Sequence, residues 1–284
     1  MKFLFFAGTI AAVAVTLFVV ERFFPLRETR SLFGRLLVNI ALSVVTFLVA
    51  ISLVQPAVHW ALRWSAEKPL GLIHLIALPS FLQFIVSFLL MDLIFYYWHL
   101  ANHRVPFLWR FHNVHHIDPG LDVSTAFRFH FGEIAFSALL GVLQVSVIGI
   151  SAWAFGIYQL AFQAEVLFHH SNWRLPIRLE RFLNKVIVTP RMHGIHHSQV
   201  RRENNSNFAT IFSFWDRMHR TLGLNIPQSE IIMGIPAYSR PEDNQIANAL
   251  FLPFRKQRDY WRTPDGTLVD RPATPNEDCA RLAE

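Results

Sequence analysis

Histidine placement is the feature of this chain that points most directly to chemistry. Of its 14 histidines, ten fall into four short groups: His99 and His103; His112, His115 and His116; His169 and His170; and His193, His196 and His197. In Asp92-Leu-Ile-Phe-Tyr-Tyr-Trp-His99-Leu-Ala-Asn-His103 the two imidazoles are spaced i, i+4 and share one helix face. His112-Asn-Val-His115-His116 and His193-Gly-Ile-His196-His197 repeat an i, i+3, i+4 pattern. Each triplet can aim three ring nitrogens at one place. Packing gives no reason for such a pattern to occur twice, whereas metal ligation does. About nine imidazoles are too many for one ion, so two are implied.

The kind of metal follows by comparison. A structural zinc site closes with four ligands, and a zinc peptidase shows an HExxH glutamate base that is missing here. A bis-histidine haem uses single histidines facing each other across spans rather than triplets at helix ends. One cysteine, Cys279, cannot form an internal disulfide, an iron–sulfur cluster or a cysteine-based zinc site. Two non-haem Fe ions fit best, with zinc as a substitute. Activation of O2 as co-substrate by such a pair permits attack on an unactivated C–H bond, which protein side chains alone cannot perform.

Two acids sit in apolar segments, where a carboxylate is costly and often functional. Asp92, seven residues before His99, is on its helix face and is read as the acceptor for the second ring N–H of a ligand histidine, in preference to pairing with a neighbouring helix. Glu165 precedes His169 by four residues in Glu165-Val-Leu-Phe-His169-His170. Metal ligand, water-holding residue and buried acid paired to Arg or His are its three readings. His130, in Arg128-Phe-His130-Phe-Gly-Glu133, is read as a supporting or structural residue, and His59, His74 and His219 as surface or core histidines.

Long apolar segments must carry these residues. The chain is 52% hydrophobic and 16% charged, with 27 phenylalanines, a membrane protein's balance. Phe3 to Val20 is long enough to cross a hydrocarbon core of about 30 Å and reads as a retained anchor rather than a cleaved signal. Further spans are expected over Leu36 to Val54 and, entered through Pro79, Ser80 to Trp98. Ile134 to Val166 would measure about 48 Å as one helix, so a hairpin broken near Gly149 and Ser151 is expected. The fold class is thus all-α, a polytopic transmembrane bundle of about four to five spans. Arginines at 22, 27, 30 and 35 outnumber the basic residues of Gln55–Gly71, placing the first loop in the cytoplasm and all four histidine groups on that side. The net charge of +6 is dispersed through loops and tail, which argues against nucleic acid and for lipid head groups or an acidic redox partner. Residues 1–254 read as one membrane-embedded catalytic domain and 255–284 as a polar, loosely ordered tail.

From Asp92 to Thr221 the sequence resembles the fatty acid hydroxylase/sterol desaturase superfamily of integral membrane enzymes. Asp92 to His103 resembles its first box and Phe111 to His116 its second. His169-His170-Ser-Asn-Trp resembles its intermediate element, and Thr189-Pro-Arg-Met-His193-Gly-Ile-His196-His197-Ser its third box. Asn207-Phe208 and Phe214-Trp215-Asp216-Arg217 are similar to its closing segment. The resemblance implies a di-metal centre in a cytoplasmic helical cap over a four-helix membrane scaffold, with the box histidines as ligands, oxygen-dependent modification of a membrane lipid, and electrons from outside. No dinucleotide fingerprint, cluster cysteines or haem domain occurs in this chain, so the external donor is expected to be a ferredoxin or cytochrome b5-like protein. Some relatives carry a histidine where Glu165 stands, which leaves His169, His170 or both as the ligand there, with His169 preferred because it shares a helix face with Glu165. Hydroxylation and desaturation begin with the same hydrogen abstraction, and both fit. A zinc-dependent membrane hydrolase, or a metal- or lipid-binding protein without catalysis, are the competing readings.

Overall fold

The structure is a computed structural model that describes residues 2–28, 32–68 and 70–271. The end of the expected tail, with Pro272, Pro275 and Cys279, lies outside the described residues, as does Arg30. Among those described the chain is helical, with isolated bridge pairs and no strand.

Four helical stretches are long and apolar enough to cross a membrane: Phe6–Phe23, Phe33–His74, Ser80–Arg104 and Phe131–Ile148. The first lies in α1 (Lys2–Phe23). The second joins α2 (Leu32–Val49), a π-helical turn at Ala50–Val54 and α3 (Gln55–Glu67) without a break. At 1.5 Å per residue this run is about 54 Å long, so it projects beyond a core of about 30 Å. Trp60 and Trp64 stack on its projecting part, as aromatic side chains do at a membrane boundary. The third is α4 (Ser80–Arg104) and the fourth α6 (Phe131–Ile148).

The hairpin break falls where the sequence places it. Gly149 ends α6 in the left-handed conformation, φ 77°, and the Ser151 hydroxyl caps α7 (Ala152–His170) by accepting from the Ala154 N–H. The loop from α3 packs so tightly here that a Cβ on Gly71 would stand 2.6 Å from the Gly149 nitrogen. The count of four excludes α7. Its Gln159, Gln163, Glu165, His169 and His170 make it more polar than an ordinary span.

At the opposite end of the bundle short helices form a cap: α5 (Pro106–His116), α8 (Ile177–Leu183), α9 (Pro190–His196), α10 (Arg201–Asn204), α11 (Phe214–His219) and α12 (Ile246–Phe251). Beyond the expected boundary at 254, residues 255–271 lie along the body. Arg258 pairs with Asp243 at 2.8 Å and Trp261 stacks on Trp109.

Buried polar contacts latch the bundle to this cap. From α1, a Glu21 carboxylate oxygen accepts from the Val123 and Asn172 N–H groups. From α2, Arg35 donates to Asp118 at 2.6 and 3.1 Å and to Asp122 at 3.0 Å. Asn39 donates to Asp118 and accepts from the fully buried Arg128, whose Nε reaches the Val114 carbonyl. Burial by itself would raise the Asp118 carboxyl, but the Arg35 and Arg128 charges overcome it and hold it at about 2. Asp118→Ala should therefore lower stability by roughly 3–5 kcal/mol, since it strands a buried guanidinium. A carboxyl held below its ordinary value of about 3.9 stabilises fully above that pH and loses its contribution only as pH falls toward the native value. Melting temperatures of the two proteins in detergent should thus keep a constant gap from pH 7 to 5. A gap that closes in that range would show that Asp118 is not held as an ion pair.

Candidate metal centre

Each histidine-bearing helix ends where the others end. α4 brings His99 and His103 at its last turn, α5 brings His112, His115 and His116, α7 brings His169 and His170, and α9, with its C-cap residue His197, brings the last triplet. Their rings sort into two clusters. His99, His103, His112, His116 and His196 form one, and His115, His170, His193 and His197 the other, with possible ligand atoms within 4.8 Å of one another in each. His103 is half-buried and the other eight are buried.

Nine of the ten histidines singled out from the sequence are thus brought together. His169 is not among them. On α7 it is His170 whose Nε2 faces the Nε2 atoms of His115 at 3.1 Å and His193 at 3.0 Å, while His169 packs its ring against His193 at 4.2 Å. The two acids also lie apart from the clusters. Asp92 accepts from the N–H groups of Ile211 and Phe212 and, at 2.8 Å, from the Trp215 indole, the pairing with a neighbouring segment rather than with a ligand ring. Glu165 has an oxygen buried without a partner and makes no ion pair among the described residues.

Orientation comes from the far ring nitrogens. Nδ1 of His99 meets the Phe208 carbonyl at 2.8 Å, that of His115 the Arg128 carbonyl at 3.0 Å, that of His170 the Val166 carbonyl at 2.8 Å and that of His196 the Ser206 carbonyl at 2.7 Å. A carbonyl accepts only, so each Nδ1 carries the proton and each Nε2 keeps its lone pair for the centre. His112 is set by a carboxylate instead, Glu133 Oε1 at 2.9 Å. Other groups brace the segments around the rings in turn. Asp216 accepts from the Phe208 and Ala209 N–H groups and from Thr221, and burial raises its carboxyl to about 6 despite these donors. Asn207, in the left-handed region at φ 57°, donates to the Met192 and Gly223 carbonyls. At Gly194 the Arg27 guanidinium fills the place of a side chain, reaching the Pro190 carbonyl and Gln228.

The donor set suits metal ions. Burial first, and then neighbouring imidazoles, hold His115, His116, His193, His196 and His197 well below the ordinary histidine value, so they are neutral, as ligands must be. Neighbouring Nε2 atoms lie 3.0–3.2 Å apart. Nitrogens bound at right angles to one ion at about 2.1 Å stand at that spacing. The His196 Nε2 and both His103 nitrogens are buried without a partner among the described residues, which costs free energy unless something pairs with them. Histidines outside the clusters have ordinary roles. His130 caps α6 through Nδ1 and meets the Leu250 carbonyl through Nε2, and His219 stacks on Tyr96.

Glu133 is the functional residue that sequence reading passes over. Its signal was an acid at the start of an apolar helix, 21 residues from the histidine it holds. Asn204, whose amide lies 3.2 Å from His116 Nδ1, gave no signal. Below the clusters a cavity of about 420 Å³ opens between α2, the π turn, α4, α6 and α7, with His99, His112, His115, His170 and His193 in its wall.

Residues 84–221 match the fatty acid hydroxylase family model. The chain is 30% identical to an ornithine lipid hydroxylase of Rhizobium tropici over 49% of its own length and 41% of the relative's. It is 30% identical to the cholesterol 25-hydroxylase of Mus musculus over 58% and 53%, and 28% identical to the alkylglycerol monooxygenase of Danio rerio over 66% and 41%. The chain thus spans about half the length of these relatives. No solved structure matches it. The matched segment holds all ten histidines of the four sequence groups together with Glu133, Asp92 and Asp216, and this segment belongs to the fatty acid hydroxylase/sterol desaturase superfamily.

Proposed function

We propose that the protein is an oxygen-dependent, two-iron hydroxylase or desaturase of a membrane lipid, with its histidine end facing the cytoplasm and its electrons supplied by an external ferredoxin or cytochrome b5-like protein. The observation that carries this reading is the sorting of nine imidazoles into two adjacent buried sets at the mouth of an apolar cavity. His99, His103, His112, His116 and His196 would hold one ion, and His115, His170, His193 and His197 the other. The bound pair supplies the activation of dioxygen needed to attack a C–H bond.

The chain's own residues do the rest. Carbonyls at Phe208, Arg128, Val166 and Ser206 retain the Nδ1 protons and so aim each ring. Glu133 does this for His112 with a negative charge, which strengthens the ring as a donor. Phe95, Trp98, Phe127, Phe129 and Phe162 wall the cavity, keep bulk water from the reacting carbon and grip an alkyl or ring skeleton. The names of the relatives, all lipid hydroxylases or monooxygenases, support the same chemistry.

Protein purified without chelator should contain two transition-metal ions per chain by elemental analysis, and His193→Ala and His103→Ala should each remove one. A wild-type content of one or none would sink the reading. Turnover of extracted lipids should require both dioxygen and reductant and give a product heavier by one oxygen or lighter by two hydrogens. Conversion under anaerobic conditions would point to hydrolysis instead. Glu133→Gln, which keeps the shape and removes the charge beside His112, should cut activity or metal affinity by about 10–100-fold. Wild-type values for both would show that the carboxylate is dispensable.

A further inference from the structure

The cavity below the histidines is not lined as a plain hydrocarbon tunnel. On α6 its wall runs from Glu133 through Ser137 to Gln144, and on the antiparallel α7 from His170 through Gln163 and Gln159 to Tyr158. At 1.5 Å per residue both helices give it a length of about 17–18 Å. Residues 159, 163, 166 and 170 stand at i, i+4, i+7 and i+11, so the two glutamine side chains share a stripe with the metal-facing His170.

Ser137 and Thr46 satisfy their hydroxyls on carbonyls of their own helices. The glutamines differ. Gln159 and Gln163 line the cavity and make no hydrogen bond to the protein among the described residues. Gln144, also in the wall, donates to the Met91 carbonyl at 3.2 Å and leaves its own carbonyl oxygen without a protein partner. Amide groups inside a membrane bundle are costly unless something pairs with them. Beyond Glu133 no charged side chain enters the wall.

We infer that Gln163, Gln159 and Gln144 form a subsite for a neutral hydrogen-bonding group of the lipid substrate, a hydroxyl or an ester or amide carbonyl, held about 10–17 Å from the histidine clusters. This rests on the proposed lipid oxygenation and adds the substrate's class: a lipid with a polar, uncharged function at the far end of the part that enters, rather than an unbroken alkyl chain. An amide both donates and accepts, which suits a hydroxyl or carbonyl. A carboxylate or phosphate would find no countercharge there.

The test titrates the full-length chain in detergent with hexadecane, 1-hexadecanol and hexadecanoate in mixed micelles, and with 5α-cholestane and 5α-cholestan-3β-ol as a rigid pair. In at least one pair the alcohol should bind about tenfold more tightly than its hydrocarbon, and hexadecanoate should gain nothing over the alcohol. In the Gln159→Leu/Gln163→Leu double variant the preference should fall to about twofold or less with hydrocarbon affinity retained. If that variant does not fold, each single substitution should reduce the preference about threefold. Equal binding of alcohol and hydrocarbon for both shapes, tighter binding of the carboxylate, or a preference that survives the substitutions would overturn the inference. Metal analysis of the same preparation separates the two readings. Two ions with no alcohol preference would defeat the subsite alone, and an alcohol preference without metal would defeat the oxygenase reading alone.

Discussion

Nine imidazoles can lie together in a buried space only if they are neutral and if each proton is kept away from the centre. At five of the nine rings the surroundings serve that requirement. Four backbone carbonyls and one carboxylate take the Nδ1 protons, leaving Nε2 lone pairs directed inward. A ring free to exchange tautomers would present a proton to a metal instead of a lone pair. The segment that carries the Phe208 carbonyl must itself be fixed, and Asp216 and Asp92 fix it by gathering backbone and indole N–H groups of residues 208–215. The centre therefore depends on acids that do not touch it.

This also accounts for the charged latch between bundle and cap. Apolar helices in lipid have little hydrophobic reason to choose one rotation about their axes over another. Glu21, Arg35 and Asn39 give α1 and α2 such a preference by tying each to a particular cap residue. The cavity between α2, α4, α6 and α7 takes its shape from the same registration, with the π turn at Ala50–Val54 in its wall.

What could be read from the residue order was what repeats or is costly. Spacings of i, i+3 and i+4 exposed the triplets, apolar runs exposed the spans, and Gly149 with Ser151 marked the hairpin turn because both residue types favour chain reversal. The carbonyl clamps at Phe208, Arg128 and Ser206 could not be read, since a backbone oxygen is the same at every residue. The preference for His169 over His170, drawn from its shared face with Glu165, goes against the observed geometry, because neighbours on a helix point about 100° apart and only packing decides which faces the centre. The partner of Asp92 could not be read, because the segment 208–215 runs past it after more than a hundred residues of intervening chain. The amides of α7 carried no motif and stood out only once a cavity lay beside them.

Neither cluster is local in the chain. One needs His99, His103, His112, His116 and His196; the other needs His115, His170, His193 and His197. Both therefore require α9, the last of the histidine-bearing helices to leave the ribosome. The earlier histidines emerge without the partners that complete either set. Under the proposed function, oxidation would thus wait until the full donor set is assembled, and an unfinished chain would have no centre with which to oxidise itself or the surrounding lipid.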